Sequence, residues 1–239
     1  MKKFLTTAAM ILLPLSAFAD GVSEDRIREL VLETIRANPE IVLEAVQIIN
    51  ARDAANEAAA SAQVLSSQRL ALEQDPNAPV LGNPNGDVTV VEFFDYNCPY
   101  CRRVKPHMEK LLASDTNVRV VYREWPILGD GSVFAAKAAL ASQNQGKYVE
   151  FHWALMELAG RAEEANVIAA AEKVGINVTQ MRRDMEAPEI SEHIETSMRL
   201  ARALGFNGTP SFVIGEALAP GLIEADQMIE LVKKARAAN

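Results

Sequence analysis

The sequence predicts an α/β fold in which a helical insertion divides a small sheet domain and a helical extension precedes that domain. A strand at residues 88–94, a helix to about residue 112 and a second strand at 118–123 imply a parallel pair. The pattern is then helical for roughly eighty residues, until it returns to strand at 211–215. The insertion is therefore expected at about residues 130–204.

The first nineteen residues have the pattern of a secretory signal peptide. Lys2 and Lys3 precede an apolar stretch at residues 8–15, and Ala17-Phe18-Ala19 forms a small-x-small cleavage pattern. We expect cleavage after Ala19 and export to a bacterial periplasm, where disulfides form and persist. The apolar stretch is too short to span a bilayer, so we expect a soluble mature protein.

Charge and composition exclude nucleic acid as a partner. The 239 residues carry a formal net charge of -8, and loss of the signal peptide, which contains two lysines, makes the net charge more negative. No long basic stretch is available to contact phosphates. About half of the residues are apolar, 49% of the chain, which is enough for one sizeable core.

Residues 20–75 are expected to form a helical oligomerisation segment and spacer. Asn38-Pro39 ends one amphipathic helix and begins another, and residues 51–63, rich in alanine, follow as a stiff spacer. Two short apolar helices cannot bury their faces alone, so self-association is favoured. No heptad pattern runs far enough to fix the copy number; our expectation is a trimer rather than a dimer. The alternative is that the helices fold back onto the domain that follows.

A proline-rich stretch marks the expected domain boundary. Residues 75–87 contain three prolines and two glycines, which no helix can continue through. The following domain is therefore assigned to residues 76–239.

Cys98 and Cys101 are the only cysteines of the chain, and they form a C-P-Y-C motif at a strand-to-helix junction. A sulfur at a helix N-terminus is stabilised as thiolate by free backbone N–H groups and the helix dipole. Cys98 is thus the candidate nucleophile. Cys101 lies one turn deeper and is the candidate resolving thiol.

Two segments of the chain, residues 92–101 (Glu-Phe-Phe-Asp-Tyr-Asn-Cys-Pro-Tyr-Cys) and 208–212 (Gly-Thr-Pro-Ser-Phe), resemble the DsbA-like branch of the thioredoxin superfamily. The resemblance covers about residues 76–239 and implies a thioredoxin fold interrupted by a helical domain. It also implies a cis Thr209-Pro210 bond beside the cysteines, where both residues contact an extended substrate. Without the cysteine motif, an ordinary tight turn would be favoured there.

The same resemblance implies roles for three more residues. Glu92 matches the buried acid that relays protons to the resolving cysteine; its alternative is a strand-end carboxylate paired with a basic residue. Pro99 and Tyr100 form the dipeptide that tunes the redox couple. The histidines lie on different predicted helices without ligand spacing, so no metal site is assigned.

The leading functional hypothesis is a protein thiol-disulfide oxidoreductase that needs no cofactor. Its expected partners are exported proteins with thiols or disulfides and a membrane redox partner. The helical extension resembles that of the oligomeric suppressor-of-copper-sensitivity disulfide isomerases, which favours an isomerase over a monomeric dithiol oxidase. A Cu(I)-binding protein is the alternative of another class, because two thiolates suit Cu(I). A structural disulfide is disfavoured, since so short a loop restrains the unfolded chain little.

Overall fold

The computed structural model describes residues 23–238, so the expected signal peptide at residues 1–19 lies outside the described part of the chain. Contacts divide the chain into two compact units, of which one ends at Ala54 and the other begins at Ala55. Helix α1 (Glu24–Ala37) and the first part of helix α2 (Glu40–Glu73) belong to the N-terminal unit.

The helices of the N-terminal unit expose a large apolar surface. The Ser23 side chain caps α1 by accepting a hydrogen bond from the Arg26 N–H group. None of the α1 side chains, all of which the structure describes, is buried. Ten large apolar side chains of α1 and the part of α2 before Ala54 are at least 40% exposed: Ile27, Leu30, Val31, Leu32, Ile41, Val42, Leu43, Val46, Ile48 and Ile49.

Helix α2 runs without a break through the alanine-rich stretch and beyond it. Its last part belongs to the second unit, where Leu65 and Leu72 are buried in the core. Arg69 donates hydrogen bonds to the carbonyl oxygen of Gly215 and forms an ion pair with Glu216. The contacts therefore divide the chain at residues 54 and 55, earlier than the proline-rich stretch at 75–87, because the end of α2 is apolar enough to join the core.

A five-stranded sheet forms the centre of the second unit, with the spatial order β1-β3-β2-β4-β5. The β2–β3 pair is parallel, as predicted, and the other neighbours are antiparallel. Helix α3 connects β2 to β3. The elements are β1 (Val80–Gly82), β2 (Val88–Phe94), α3 (Pro99–Ser114), β3 (Val118–Glu124), β4 (Ser211–Ile214) and β5 (Ala217–Pro220).

Five helices lie between β3 and β4, at the position expected for the insertion, and one more helix follows the sheet. A single 3₁₀ turn at residues 142–145 joins the first two helices of the insertion. The helices are α4 (Asp130–Ala141), α5 (Tyr148–Met156), α6 (Glu164–Lys173), α7 (Val178–Asp184), α8 (Pro188–Ala203) and the closing α9 (Ala225–Ala238).

Helices cover both faces of the sheet, which explains why β2 reads as a nearly continuous apolar run. Val90 and Phe94 pack into one core cluster with side chains of α3, α5 and α9, whereas Val91 and Phe93 pack into the other with Leu65 and residues of α8. Alternate residues of a strand point to opposite faces, so one strand serves both cores. The predicted α/β fold with a helical insertion and an N-terminal helical extension is confirmed.

A buried charge cluster fastens the residues after α2 to the sheet. The Asp75 carboxylate pairs with Arg123, whose side chain is fully buried, and lies 3.1 Å from Nδ1 of His193. These contacts hold the pKa of Asp75 well below its ordinary range against the opposing effect of burial. Arg119 adds a hydrogen bond of 2.6 Å to the carbonyl oxygen of Glu73 at the end of α2.

We expect two neighbouring leucines of α2 to differ sharply in their contribution to stability. Leu72 is fully buried, so Leu72→Ala should lower the free energy of unfolding by about 2–5 kcal/mol. Leu70 is 78% exposed, so Leu70→Ala should change it by less than about 0.5 kcal/mol. Equilibrium urea unfolding followed by circular dichroism measures both. If both substitutions lower the free energy of unfolding by the same small amount, the end of α2 is not part of the folded second unit.

Candidate active site

The two cysteines lie at the start of α3, directly after the carboxyl end of β2. Cys98 is the N-cap residue with an extended backbone, and Pro99 takes the first helical position, where its missing N–H group is not needed. The Cys98 N–H group donates to the carbonyl oxygen of Asp95 at 3.0 Å. Cys101 lies one turn further along and is buried. In this structure both cysteines are thiols.

The surroundings of Cys98 favour its thiolate and lower its pKa from 9.0 to about 6. The largest cause is a hydrogen bond from the thiol of Cys101, while burial acts in the opposite direction. The Thr209 side chain and the N–H groups of Tyr100 and Cys101 also lower this pKa. Cys98 is therefore the more acidic thiol of the pair.

Cys101 has the opposite environment, and its pKa lies well above the ordinary value. Burial is the largest cause, followed by its hydrogen bond to Cys98 and by the negative charges of Cys98 and Glu92. Only its hydrogen bond with the backbone of Asp95 acts in the other direction among these causes. A group that removes the Cys101 proton is needed before its sulfur can react.

Glu92 lies in the middle of β2 and is 2% exposed. Burial, and then the negative charge of Cys98, raise its pKa from 4.5 to about 8. A carboxyl group with this pKa exchanges protons readily near neutral pH. The negative charge of Cys98 raises the pKa of Glu92, and that of Glu92 raises the pKa of Cys101.

The Thr209–Pro210 peptide bond is cis, as the resemblance implied. The Cys98 thiol donates a hydrogen bond of 3.1 Å to the carbonyl oxygen of Thr209. An open cleft of about 300 Å³ adjoins this contact, and Tyr100, with 54% of its surface exposed, forms part of its wall. The other lining residues are Asn207, Gly208, Thr209, Pro210, Gly221 and Leu222.

Asp95, which the sequence analysis did not single out, holds the loop before Cys98. One of its carboxylate oxygens accepts from the N–H group of Asn97 at 2.7 Å, and the other accepts from Ile127 and Leu128 at 2.8 and 2.9 Å. Asn97 in turn accepts from the N–H group of Ala162 at 2.7 Å. The Asp-x-Asn spacing before the cysteines is a turn signal that could have indicated this role.

A second buried acid, also missed from the sequence, lies at the end of β3. Glu124 accepts hydrogen bonds of 3.0 Å from the hydroxyl groups of Tyr96 and Tyr148. The Tyr96 hydroxyl also lies 3.0 Å from Nδ1 of His152. Burial raises the pKa of Glu124 well above its ordinary value and lowers that of His152 to about 3.

The basic residues of α3 have partners other than the cysteines. Arg102 donates to the carbonyl oxygens of Tyr96 and Leu158 at 3.0 and 2.8 Å. Lys105 pairs with Glu109 at 2.6 Å. These contacts fasten α3 to the active-site loop and to the insertion.

The fold and the pair of unlike thiols define a thioredoxin-like oxidoreductase, and comparison with known families agrees. The DSBA-like thioredoxin domain matches residues 89–233. The copper resistance protein ScsC N-terminal domain matches residues 24–56. The chain belongs to the DsbA-like family of thiol-disulfide oxidoreductases and carries a ScsC-type N-terminal region.

Solved structures include similar chains over both parts. A thioredoxin-like oxidoreductase from Silicibacter pomeroyi DSS-3 is 61% identical, with a TM-score of 0.71, over 72% of this chain and 99% of its own. A linker-deletion mutant of ScsC from Proteus mirabilis is 28% identical, with a TM-score of 0.70, over 94% of this chain and 100% of its own.

The first curated relatives are much longer proteins. A Na(+)/H(+) antiporter NhaA 1 from Salinispora arenicola is 30% identical over 61% of this chain, which spans only 23% of that protein. The disulfide bond formation protein D of Bacillus subtilis is 23% identical over 65% of this chain and 76% of its own length. Within residues 23–238, no helix is both long and apolar enough to cross a membrane.

We expect Cys98 to react as a thiolate over an unusually wide pH range. In the reduced protein, the rate of its alkylation by iodoacetamide should fall to half near pH 6, because its pKa is about 6. Mass spectrometry of peptides should find Cys101 unmodified over that range, because its pKa is raised.

The matched variant for this titration is Cys101→Ala. It removes the hydrogen bond that lowers the pKa of Cys98 most, so the midpoint of the titration should move toward the ordinary thiol value of 9.0. A wild-type midpoint already near 9 would contradict the assignment of Cys98 as the activated thiol.

Proposed function

We propose that this protein is a periplasmic protein disulfide isomerase that acts through Cys98 and Cys101. The observation that carries the redox chemistry is the opposite displacement of the two thiol pKa values within one helical turn, beside the cis Thr209–Pro210 bond. The first sulfur is prepared to attack, and the second keeps its proton until the first has reacted.

The reaction begins when the Cys98 thiolate attacks a substrate disulfide. A bond forms between the Cys98 sulfur and one substrate sulfur, the substrate disulfide breaks, and the electron pair leaves with the other substrate sulfur as a thiolate. That thiolate can attack another disulfide of the substrate, and a later substrate thiolate displaces Cys98. The substrate then has rearranged disulfides, and the protein is again a dithiol.

When no substrate thiolate returns, Cys101 resolves the mixed disulfide. Glu92 accepts the Cys101 proton, the Cys98–Cys101 bond forms, and the substrate leaves reduced by two electrons. Pro99 and Tyr100 tune the redox couple through the environment of the Cys98 thiolate. A membrane redox partner must then return two electrons to the oxidised protein before it can isomerise again.

The cleft beside Cys98 provides the substrate-binding surface. Thr209 and Pro210 lie at the sulfur, and backbone groups around a cis proline can pair with an extended chain as a sheet edge does. Exposed Tyr100 adds an apolar wall. A cleft of this kind accepts unfolded segments of exported proteins without a demand for one sequence.

The N-terminal helices make the protein an oligomer, in our proposal a trimer. Their ten exposed apolar side chains support association, because such a surface is seldom left in water. The match of residues 24–56 to the ScsC N-terminal domain supports the same assignment. Several active sites on one assembly can act on a single substrate with several disulfides, which favours isomerisation.

The proposed location rests on residues 1–19, which form a cleavable signal peptide by pattern. Cleavage after Ala19 leaves a mature chain of an association segment, the DsbA-like domain and the insertion within it. The periplasm supplies both substrates and an oxidising environment.

We expect charges on the apolar surface of α1 to separate isomerase activity from dithiol oxidation. Ile27→Asp with Val31→Asp places two carboxylates one turn apart on an exposed surface and should dissociate the assembly. Recovery of scrambled ribonuclease should then slow by at least about tenfold at equal active-site concentration. Oxidation of reduced ribonuclease should be unchanged. Sedimentation and the two ribonuclease assays measure these effects.

The matched control is Leu70→Asp, which places a carboxylate on an exposed leucine of the second unit. It should leave both the assembly and both activities intact. If wild-type protein oxidises ribonuclease but does not rescue the scrambled form, the protein is an oxidase. Full isomerase activity in a monomeric double variant would contradict the role of the N-terminal helices.

A further inference from the structure

Tyr122 buries a hydroxyl group that has no partner in the described part of the chain. Its side chain is 1% exposed, yet the hydroxyl makes no hydrogen bond. The hydroxyl groups of Tyr96 and Tyr148, in the same core, both bond to Glu124. Burying an unpaired hydroxyl costs free energy, so its position calls for a function.

The sheet places Tyr122 directly beside Glu92. The two residues are paired in the register of the parallel strands β2 and β3. Paired residues of neighbouring strands point to the same face of a sheet, and their strands lie about 4.8 Å apart. The negative charge of Glu92 is also the strongest of the charges that raise the pKa of Tyr122, after burial itself.

The other ionisable groups around this pair are engaged elsewhere. Lys105 and Glu109 of α3 pair with each other, and Glu124 of β3 is held by the two tyrosines. The other ionisable residues near Glu92 and Tyr122 are Cys98 and Cys101 at the start of α3, Asp95 of the preceding loop, and Tyr148 and His152 of α5.

His152 does not contribute a charge at neutral pH. The centroids of the His152 and Tyr122 rings lie 4.4 Å apart. Burial lowers the pKa of His152 to about 3, so the imidazole stays neutral above that pH. Among the buried side-chain atoms of the described residues, the Tyr122 hydroxyl is the one O–H donor without a hydrogen-bond partner, and Tyr122 is the β3 neighbour of Glu92.

We propose that Tyr122 is a positioning residue whose hydroxyl donates a hydrogen bond to the ionised carboxylate of Glu92. This inference rests on the proposed function, in which Glu92 accepts the proton of Cys101. A donor to the carboxylate favours its ionised form, so Tyr122 keeps Glu92 ready to accept that proton. Tyr122 itself keeps its proton throughout, because burial raises its pKa well above the ordinary value.

The step that Tyr122 assists is the attack of Cys101 on the mixed disulfide. The Cys101 proton passes to Glu92, the bond between the Cys101 and Cys98 sulfurs forms, and the bond from Cys98 to the substrate sulfur breaks. The electron pair leaves with the substrate thiolate. Attack by Cys98 on the substrate, the step before it, does not involve the Glu92 proton.

Reaction of the reduced full-length protein with the disulfide of dithiobis-nitrobenzoate separates these two steps. Attack by Cys98 releases the first thionitrobenzoate, and attack by Cys101 on the mixed disulfide releases the second. Stopped-flow absorbance resolves the two phases between about pH 5 and 10, which spans the ordinary pKa values of Glu and Cys. Glu92→Gln assigns the pH inflection of the second phase.

Tyr122→Phe should change the second phase alone. Without the donor, the inflection assigned to Glu92 should move up by about half to one pH unit, which slows this phase by roughly threefold to tenfold below the inflection. The rate of the first phase should be unchanged. The urea midpoint at pH 7 should be unchanged or higher, because Glu92, with a pKa of about 8, is mostly protonated there and the Tyr122 hydroxyl has no hydrogen-bond partner in the described structure.

Tyr148→Phe is the matched control, since it removes a buried hydroxyl that bonds to Glu124. It should lower the urea midpoint and leave both phases at their wild-type pH dependence. A Tyr122→Phe variant with a lower midpoint and an unmoved second phase would overturn the role of Tyr122. A wild-type protein that releases only one thionitrobenzoate would instead overturn the proposed dithiol mechanism.

Discussion

The interaction of Cys98, at the start of α3, with Cys101, one helical turn further on, is the interaction on which the rest of the site depends. It is the largest cause of the low pKa of Cys98, and it contributes to the high pKa of Cys101. Neither shift would arise without a helix that begins at Cys98 and buries its first turn. Glu92 has its raised pKa first because it is buried in β2 and then because of the negative charge of Cys98.

The surrounding structure keeps the two cysteines in place. Asp95 joins the loop before Cys98 to the N–H groups of Ile127 and Leu128, and Asn97 joins it to the insertion through Ala162. The helical insertion is thus a structural support of the cysteine pair as well as a cover for the sheet. Because both loops are held by backbone groups, their contacts do not depend on particular side chains at the partner positions.

Local sequence patterns predicted much of the fold. The parallel strands, the helix after Cys98 and the return to strand at Ser211 follow from periodicity and turn residues, and the resemblance implied the cis bond at Pro210. The sequence could not show that Asp75 would meet Arg123 and His193, since those residues are far apart in the chain. For the same reason, the partners of Glu124 and the unpaired hydroxyl of Tyr122 appear only when the strands are aligned.

The most direct test of the account is to trap the covalent intermediate. Reduced full-length Cys101→Ala and Cys98→Ala variants would each be mixed with an unfolded peptide that contains one disulfide, and the products would be analysed by intact mass and peptide mapping. The account predicts a stable mixed disulfide on Cys98 in the Cys101→Ala variant and none in the Cys98→Ala variant. An adduct on Cys101 in the Cys98→Ala variant, with no adduct on Cys98 in the other, would contradict it.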